Sequence, residues 1–325
     1  MPKPTLTSLA TPKARTPVIG RFAPSPTGAL HLGSLLTAVA SYCAAKQVGG
    51  QWLVRIEDLD TDRCHNEYSA QILRDLTRLG LHWDGEVRYQ SAHTQTYHAL
   101  LDGRLRSISY GCDCSRKSIR EFQHAHHLPE TRYPRCCLHA GRSRQHAVRL
   151  ILPNYTMVFY DHLQGVIVGN PQREHGDIVV RRRAPHAKCL GMMNYMLAVV
   201  IDDALQGVNQ IVRGLDILPL TLAQLAIADY LDLPLVRDYY HLPLVVNADG
   251  QKLSKQTLAE PISHYPADQL LILALKLLQQ APVARDKPEH MLAQAVAQWD
   301  SRPLAGKQAL TCPPLADLIQ TLFHL

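Results

Sequence analysis

The residues best suited to chemistry begin at a turn near the start of the chain, residues 21–34. The segment reads Arg-Phe-Ala-Pro-Ser-Pro-Thr-Gly-Ala-Leu-His-Leu-Gly-Ser, and an apolar run at helical spacing follows it. The two prolines direct an extended strand into a turn, and Gly33 allows a close backbone approach. A helix that starts at Ser34, beside His31, offers free N–H groups that suit a phosphate. The pattern predicts a phosphate-binding turn; an ordinary strand–turn–helix entry is the alternative.

Three further motifs carry charged side chains that could face a ligand. Glu57 comes directly after a strand predicted at Gln51–Ile56, and Arg213 follows a second apolar run. Ligands of open α/β sheets bind outside the carboxyl ends of the strands, where Arg213 could grip a carboxylate at two points. Lys252 and Lys255 lie in a Lys-Leu-Ser-Lys-Gln loop and could stabilise charge on a transferring phosphoryl group. The alternatives are an acidic surface turn, a salt-bridged loop and a solvated basic loop.

Four of the eight cysteines fall within residues 112–137. In a chain of this size such a cluster indicates a metal site rather than a disulfide framework. Cys112, Cys114 and Cys137 supply three thiolates for a tetrahedral zinc ion, which four protein ligands would make structural. The residues alone leave the fourth ligand open between Tyr133, Cys136, His124, His126, His127 and His139.

Composition bounds the class of protein. The net charge of +6 over 325 residues is compatible with a polyanionic partner. No apolar run reaches the roughly 20 residues that span a bilayer, and residues 1–17 have no apolar signal core. We therefore expect a cytoplasmic protein with a disordered leader and no membrane contact. Several arginines could form a phosphate-binding face or a solvated one: Arg132, Arg135, Arg142, Arg144, Arg149 and Arg181 to Arg183.

Hydrophobic periodicity places these motifs on a βαβ unit. A strand at 18–22, a helix at about 34–47 and a strand at 51–56 predict a right-handed crossover in a parallel sheet. The apolar runs at 195–201 and 209–212 fit buried strands or a strand–helix pair in a second parallel half. Further predicted helices lie at about 68–79, 94–106 and 221–230 and after Pro266 and Pro288, and short strands at 148–152, 156–160, 164–169 and 178–182.

The order of the motifs resembles the glutamyl branch of the class I aminoacyl-tRNA synthetases. His31-Leu32-Gly33-Ser34 is similar to the family's HIGH element, and residues 252–256 are similar to its KMSKS loop. Only 69 residues follow Gln256, which is short for a large anticodon-binding region. The chain resembles the glutamyl-Q tRNA(Asp) synthetase family in three features. These are the short stretch after Gln256, an Arg-Gly-x-Asp motif without a following His, and the pattern Cys-x-Cys…Tyr-x-x-x-Cys.

The resemblance implies a Rossmann-like α/β fold whose parallel sheet is interrupted by a zinc-binding insertion. It divides the chain into a leader (1–17), two halves of a catalytic domain (18–107 and 177–245), an inserted segment (108–176) and a region with the lysine loop and C-terminal helices (246–325). The link at residues 181–194 is longer than is usual in the family. The protein is expected to act as a monomer.

The resemblance also implies an activity and its residues. The family activates glutamate with ATP, with Mg²⁺ expected alongside it, and transfers it through glutamyl-adenylate to queuosine in the anticodon of tRNA(Asp). Positions that match the catalytic residues are His31, Lys252 and Lys255, and those that match ATP contacts are His31, Gly33, Ser34 and Lys255. Positions that match glutamate contacts are Arg21, Phe22, Ala23, Pro24, Ser25, Glu57, Tyr195 and Arg213. The matching zinc ligands are Cys112, Cys114, Tyr133 and Cys137.

Three other functions fit parts of the pattern. A truncated glutamyl-tRNA synthetase would charge a tRNA 3′ end. A synthetase paralogue without catalysis would only bind RNA, which does not require His31, Glu57 and Lys255. A nucleotidyltransferase acting on a small molecule would have no use for the thiol segment.

Overall fold

The computed structural model describes residues 16–186, 189–247, 249–251 and 260–323. The predicted leader falls almost wholly outside these ranges, and the Lys-Leu-Ser-Lys-Gln loop with Lys252 and Lys255 falls wholly outside them. In chain order the strands and α-helices are β1 (Ile19–Phe22), α1 (Leu32–Lys46), β2 (Gln51–Ile56), α2 (Asn66–Arg78), β3 (Arg88–Tyr89), α3 (Thr94–Asp102), β4 (Ser109–Cys112), α4 (Arg116–Ala125), β5 (Ala147–Leu150), β6 (Met157–Asp161), β7 (Gly165–Gly169), α5 (Pro171–His175), β8 (Ile178–Arg181), α6 (Tyr195–Leu205), β9 (Gln210–Gly214), α7 (Thr221–Tyr230), β10 (Asp238–Leu242), β11 (Leu244–Val246), α8 (Ala267–Leu277), α9 (Pro288–Ala297), β12 (Ala309–Thr311) and α10 (Leu315–Phe323).

Seven strands form the main sheet, in the order β3-β2-β1-β9-β10-β6-β7. Every neighbouring pair is parallel except β6 with β7, which is an antiparallel hairpin at one edge. β1 and β2 are joined through α1, so the predicted βαβ unit and parallel sheet are confirmed. None of the helices among the described residues is long and apolar enough to cross a lipid bilayer.

Side chains of the central strands alternate between two hydrophobic cores. On one side α1 lies against β1 and β9 and contacts α8 and α9. On the other side α7 packs on the sheet, where Leu222 and Ile211 are buried against Ile19 and Leu53. Because successive residues of a strand point to opposite faces, Arg21 shares the second face with Ile19. By the same alternation Arg55 and Arg213 project toward α6 and α7.

A second, three-stranded antiparallel sheet has the order β4-β5-β8. The sequence suggested that residues 108–176 form one inserted segment, but strand pairing crosses that boundary. β6 and β7 lie in the main sheet, whereas β8, which follows the boundary, pairs with β5.

One predicted element needs correction, and one open alternative is decided. The first helix begins at Leu32 rather than Ser34, because His31 takes the N-cap position. The apolar runs at 195–201 and 209–212, predicted as buried strands or a strand–helix pair, are the first part of helix α6 and part of strand β9. The burial of α6 on nearly all sides removes the polar stripe that normally distinguishes a helix from a buried strand.

Candidate functional site

A pocket of about 480 Å³ opens at the carboxyl ends of β1, β2 and β9. Its lining includes every predicted glutamate or ATP position that the structure describes: Arg21, Phe22, Ala23, Pro24, Ser25, His31, Gly33, Ser34, Glu57, Tyr195 and Arg213. The fold therefore brings together side chains that are nearly 200 residues apart in sequence. Their individual roles remain predictions.

A buried ion network forms the floor beneath this pocket. Asp203 of α6 accepts from Arg21 Nε at 3.2 Å and from Arg55 Nη1 at 2.7 Å. Arg55 Nη2 also donates to Glu57 Oε1 at 3.3 Å. All four side chains are nearly inaccessible to water. Two guanidinium groups and two carboxylates thus balance one another where solvent cannot screen them.

The two acids of this network differ in proton affinity. Burial raises the pKa of Glu57 to about 7, against the opposing pull of Arg55 and Arg21. Burial also raises the pKa of Asp203, but the closer contacts of Arg55 and Arg21 outweigh it and hold that pKa below its usual value. Glu57 is therefore the acid whose charge responds to a ligand near neutral pH.

Arg213 is held by neutral partners. Its Nε donates to His241 Nε2 at 2.9 Å, Nη1 to Gln224 Oε1 at 2.8 Å and Nη2 to Thr221 Oγ1 at 2.7 Å. These bonds use three of the five N–H donors of a guanidinium, so within the described part of the chain two donors remain for a ligand carboxylate.

Asp161 orients the imidazole of His241. The register of β9 and β10 places it beside Arg213, and its Nδ1 lies 2.6 Å from Asp161 Oδ2. Burial lowers the pKa of His241, and the charge of Arg213 lowers it further despite Asp161. Since Nε2 accepts from Arg213, the imidazole is neutral and donates through Nδ1 to Asp161.

Tyr195 opens α6 at the rim of the pocket. Asn194 caps the helix by accepting from Met196 N at 3.0 Å. The long link before it, residues 181–194, is closed at its base. Asn194 N donates to Val180 O, and Arg181 and Met193 form an isolated antiparallel β-bridge. Burial raises the pKa of Tyr195, with Glu57 contributing, which keeps the hydroxyl protonated.

The start of α1 forms the opposite wall. His31 Nδ1 accepts from Ser34 N at 3.4 Å, and Nε2 lies 3.3 Å from Ser34 Oγ. A Cβ at Gly33 would lie only 3.2 Å from His31 Cε1, so glycine leaves the ring room to fold over the first turn. The imidazole and the helix N-terminus thus line the pocket together, as the phosphate hypothesis requires.

The predicted zinc ligands converge on the small sheet. The Sγ atoms of Cys112, Cys114 and Cys137 lie within 4.8 Å of one another. Tyr133 Oη is 3.3 Å from Cys112 Sγ and 3.5 Å from Cys114 Sγ. Tetrahedral zinc with Zn–S bonds of about 2.3 Å needs sulfur atoms roughly 3.8 Å apart, so the donor set fits the ion. These three cysteines could hold a metal.

The other candidates for a fourth ligand are exposed. Cys136 adjoins buried Cys137 and its thiol contacts that of Cys114, but its side chain is exposed. The four candidate histidines, His124, His126, His127 and His139, are exposed as well. The geometry therefore favours Tyr133, whose ring lies under the Arg149 guanidinium at 3.4 Å.

Most of the arginines predicted as a possible phosphate face or solvated face form internal contacts. Arg135 pairs with Asp177, Arg142 with Asp113, Arg144 with Asp102 and Arg182 with Asp60, at N···O distances of 2.8, 3.1, 2.6 and 3.1 Å. Arg149 donates to Cys112 Sγ at 3.2 Å. Carboxylates from other segments reach these side chains, and the choice between a phosphate-binding face and a solvated one stays a prediction.

Sequence reasoning missed the residues that hold the pocket in place. Arg55, Asp203 and His241 are buried and contact Glu57, Arg21 and Arg213, respectively. Buried Asp161 contacts His241 in turn. The adjacent acids at 202 and 203, inside the apolar run of α6, were a usable signal, since buried carboxylates require partners.

Comparison with known proteins identifies the family. Residues 17–278 match the model described as tRNA synthetases class I (E and Q), catalytic domain. The glutamyl-Q tRNA(Asp) synthetase of Acinetobacter baylyi is 41% identical over 286 residues, which cover 87% of this chain and 93% of that protein. The one from Pseudomonas aeruginosa PAO1 is 42% identical over 288 residues, covering 87% and 94%. The chain belongs to the glutamyl-Q tRNA(Asp) synthetase family.

Solved structures agree on the fold. A glutamate tRNA ligase from Elizabethkingia meningosepticum, crystallised with its amino acid, superposes with a TM-score of 0.72 at 20% identity, over 94% of this chain and 68% of that one. A glutamate-tRNA synthetase from Elizabethkingia anophelis gives 0.73 at 20% identity, over 95% and 71%. The predicted class I synthetase fold is thereby confirmed.

Proposed function

We propose that this chain activates glutamate with ATP and transfers the glutamyl group to queuosine in the anticodon of tRNA(Asp). The pocket that collects Arg21, Glu57, Tyr195 and Arg213 beside the start of α1 is the observation that carries the proposal. Family membership supports the same reaction. The product of the first step is glutamyl-adenylate, and pyrophosphate leaves.

The charges of the pocket suit an amino acid with two carboxylates. Arg21 is already neutralised by Asp203, whereas Arg213 has neutral partners and two spare donors. Arg213 is therefore the better partner for a glutamate carboxylate, which it can hold at two points. Glu57 receives the ammonium group, whose positive charge favours the ionised acid.

The opposite wall suits ATP. The N–H groups and positive dipole end of α1 attract phosphate, and His31 covers the first turn. Lys255 is proposed to approach from the lysine loop, by its match to the KMSKS motif. Activation is an in-line attack of a glutamate carboxylate oxygen on the α-phosphorus, which breaks the bond to pyrophosphate. Positioning and charge stabilisation supply the catalysis, with no covalent enzyme intermediate.

The thiol cluster supports a structural zinc ion. Cys112, Cys114, Cys137 and Tyr133 are proposed as its four ligands, which leave no coordination position for a substrate. The ion would hold β4 and the segment after it together. Eight free cysteines also favour a reducing compartment, and we propose the cytoplasm. We also propose that the chain acts as a monomer.

One experiment separates this function from its alternatives. Glutamate-dependent ATP–pyrophosphate exchange is measured first, and the enzyme is then incubated with labelled glutamate and queuosine-containing tRNA(Asp). The tRNA is digested to nucleosides, and label on queuosine is the expected result. Label on the terminal adenosine instead would establish a tRNA-charging synthetase, and absence of exchange would favour an RNA-binding paralogue.

A further inference from the structure

A second pocket, of about 230 Å³, lies on the small antiparallel sheet. It shares no residue with the larger pocket. Three arginines, one acid and neutral groups line it; we call it the arginine pocket, and its lining is Asp102, Arg106, Ser143, Arg144, Gln145, Arg181 and Leu190.

The arginine pocket has an excess of positive charge. Asp102 Oδ1 is 2.6 Å from Arg144 Nη2 and 3.9 Å from Arg106 Nη1, and Asp102 Oδ2 is 3.4 Å from Arg181 Nη1. Asp102 is the one acid in the lining among the residues that the structure describes. One carboxylate against three guanidinium groups leaves two positive charges at the pocket without an acidic partner in its lining.

The other partners of these arginines leave the excess positive charge in place. Arg181 is 6% exposed, and its Nη2 donates to the Arg144 backbone oxygen at 2.6 Å. Arg144 Nη1 donates to Ser109 Oγ at 2.8 Å. Burial lowers the pKa of Arg181, and the charges of Arg144 and Arg106 lower it further despite Asp102. Because these additional acceptors are neutral, the cluster of three guanidinium groups is short of an oxyanion.

We propose that the arginine pocket binds a phosphate group of the RNA backbone during glutamyl transfer. Guanidinium groups match phosphate oxygens in geometry and charge, and the rim residues Arg106 and Leu190 are exposed enough to admit a polymer. This inference rests on the proposed function, which supplies tRNA as the partner.

The position of the pocket links it to the proposed glutamate site. Arg181 bridges Met193, two residues before Tyr195. The next residue, Arg182, pairs with Asp60, three residues after Glu57, at 3.1 Å. Arg181 lies at the base of the link formed by residues 181–194, which leads to Tyr195. A phosphate bound by Arg181 would therefore contact the base of this link.

The test uses substitutions with opposite expected signs. Binding of the full-length protein to a labelled anticodon stem–loop of tRNA(Asp) is followed by fluorescence anisotropy over a salt series. Arg106→Gln should weaken binding by about 3- to 10-fold and lower the salt slope by about 1. Asp102→Asn should tighten binding by a similar factor, because it removes the competing carboxylate. Arg106 is exposed, so its substitution leaves the packing of the sheet intact.

Matched controls come from an exposed pair elsewhere. Arg302 and Asp300 contact each other at 2.8 Å, and Asp300 is 36% exposed against 38% for Asp102. Arg302→Gln and Asp300→Asn make the same charge changes and should leave RNA affinity nearly unchanged. Exchange of ATP with pyrophosphate in the absence of RNA should be the same in all four variants.

Three outcomes would overturn the proposal. RNA affinity could be unaffected by both pocket variants, or it could shift equally in the controls, which would indicate a general charge effect. Titration with inorganic phosphate could instead reveal a small-anion site that responds to the variants while RNA binding does not. Loss of exchange in the unmodified protein would count against the proposed function and not against this pocket.

Discussion

The proposed glutamate pocket and the thiol cluster hold buried polar groups in opposite ways. In the pocket, Arg21 lies on β1, Glu57 follows β2 and Arg213 lies on β9, and their contacts to Asp203, Arg55 and His241 hold them in place. In the cluster, the predicted ligands come from one stretch of 26 residues, and Arg149 donates a hydrogen bond to Cys112. The first site exists only in the folded sheet, whereas the second can be recognised in a short segment.

From this difference we expect the pocket to determine catalysis and the thiol cluster to determine local stability. Pocket residues are oriented by long-range ion pairs, so their substitution should change reaction rates. Cluster residues stabilise one another, so their substitution should change metal content and stability while leaving glutamate activation intact. The four predictions that follow test this division, beginning with the largest effect.

Lys255→Ala should reduce glutamate-dependent ATP–pyrophosphate exchange by about 10³-fold, because it removes the cation proposed to stabilise transition-state charge. Thermal unfolding should be unchanged. Lys276→Ala, an exposed lysine of α8, is the control and should keep full activity. Exchange at the normal rate in Lys255→Ala would show that this lysine is not catalytic.

Arg213→Lys should reduce kcat/KM for glutamate by about 100-fold. Lysine keeps the charge but cannot hold a carboxylate at two points while also bonding Thr221 and Gln224. The loss corresponds to roughly 2.7 kcal/mol of binding in the transition state. Arg237→Lys, at the exposed start of β10, provides the control. An unchanged kcat/KM for glutamate in Arg213→Lys would contradict the proposed carboxylate contact.

Cys137→Ala should lower zinc affinity at least ~10-fold, since a thiolate ligand contributes more than the groups around it. The melting temperature should fall, while exchange per folded molecule stays near normal. The neighbouring exposed Cys136→Ala is the control and should retain zinc, measured by atomic absorption. If Cys137→Ala abolished glutamate activation in folded protein, the thiol cluster would have a role in catalysis and not only in stability.

The smallest effect concerns pH. Burial raises the pKa of Glu57 to about 7, so raising the pH ionises the acid that is proposed to receive the ammonium group. Between about pH 6.5 and about pH 7.5, kcat/KM for glutamate should rise about threefold. Glu57→Gln should give a low and flat profile. A wild-type profile that falls over this interval would place the titration on another group.

The sequence predicted much of the fold because its signals there are local. The end of α1, the proline at the start of α9 and the strand β2 lie where the pattern indicated. Prediction failed where tertiary contacts decide. His31 caps α1 with a ring nitrogen, which helix-start rules based on Ser, Thr, Asp and Asn do not anticipate. The hairpin of β6 and β7 joined the main sheet through pairing with β10, which no local pattern specifies.

The same contrast applies to the sites. Positions that face the pocket could be inferred because their motif order resembles a family. Arg55, Asp203, His241 and Asp161 could not, because the contacts that join Arg55 to Asp203, Arg213 to His241 and Asp161 to His241 span 148, 28 and 80 residues in sequence. The fourth thiol-cluster ligand remained open because exposure, which distinguishes Cys136 from Cys137, is a property of the folded chain.

The closed base of residues 181–194 has a consequence for how this chain can vary. Arg182 N bonds Met192 O, and a Cβ at Gly191 would lie 1.9 Å from Arg182 O, so the two arms meet in close contact. Residues inserted between the two arms of this segment do not change the distance between the arms at the closure. The entropy of a longer loop grows only slowly with length. A reporter peptide introduced at Arg183 should therefore leave Tyr195 in place, which makes this link a natural attachment point for following the enzyme on its RNA.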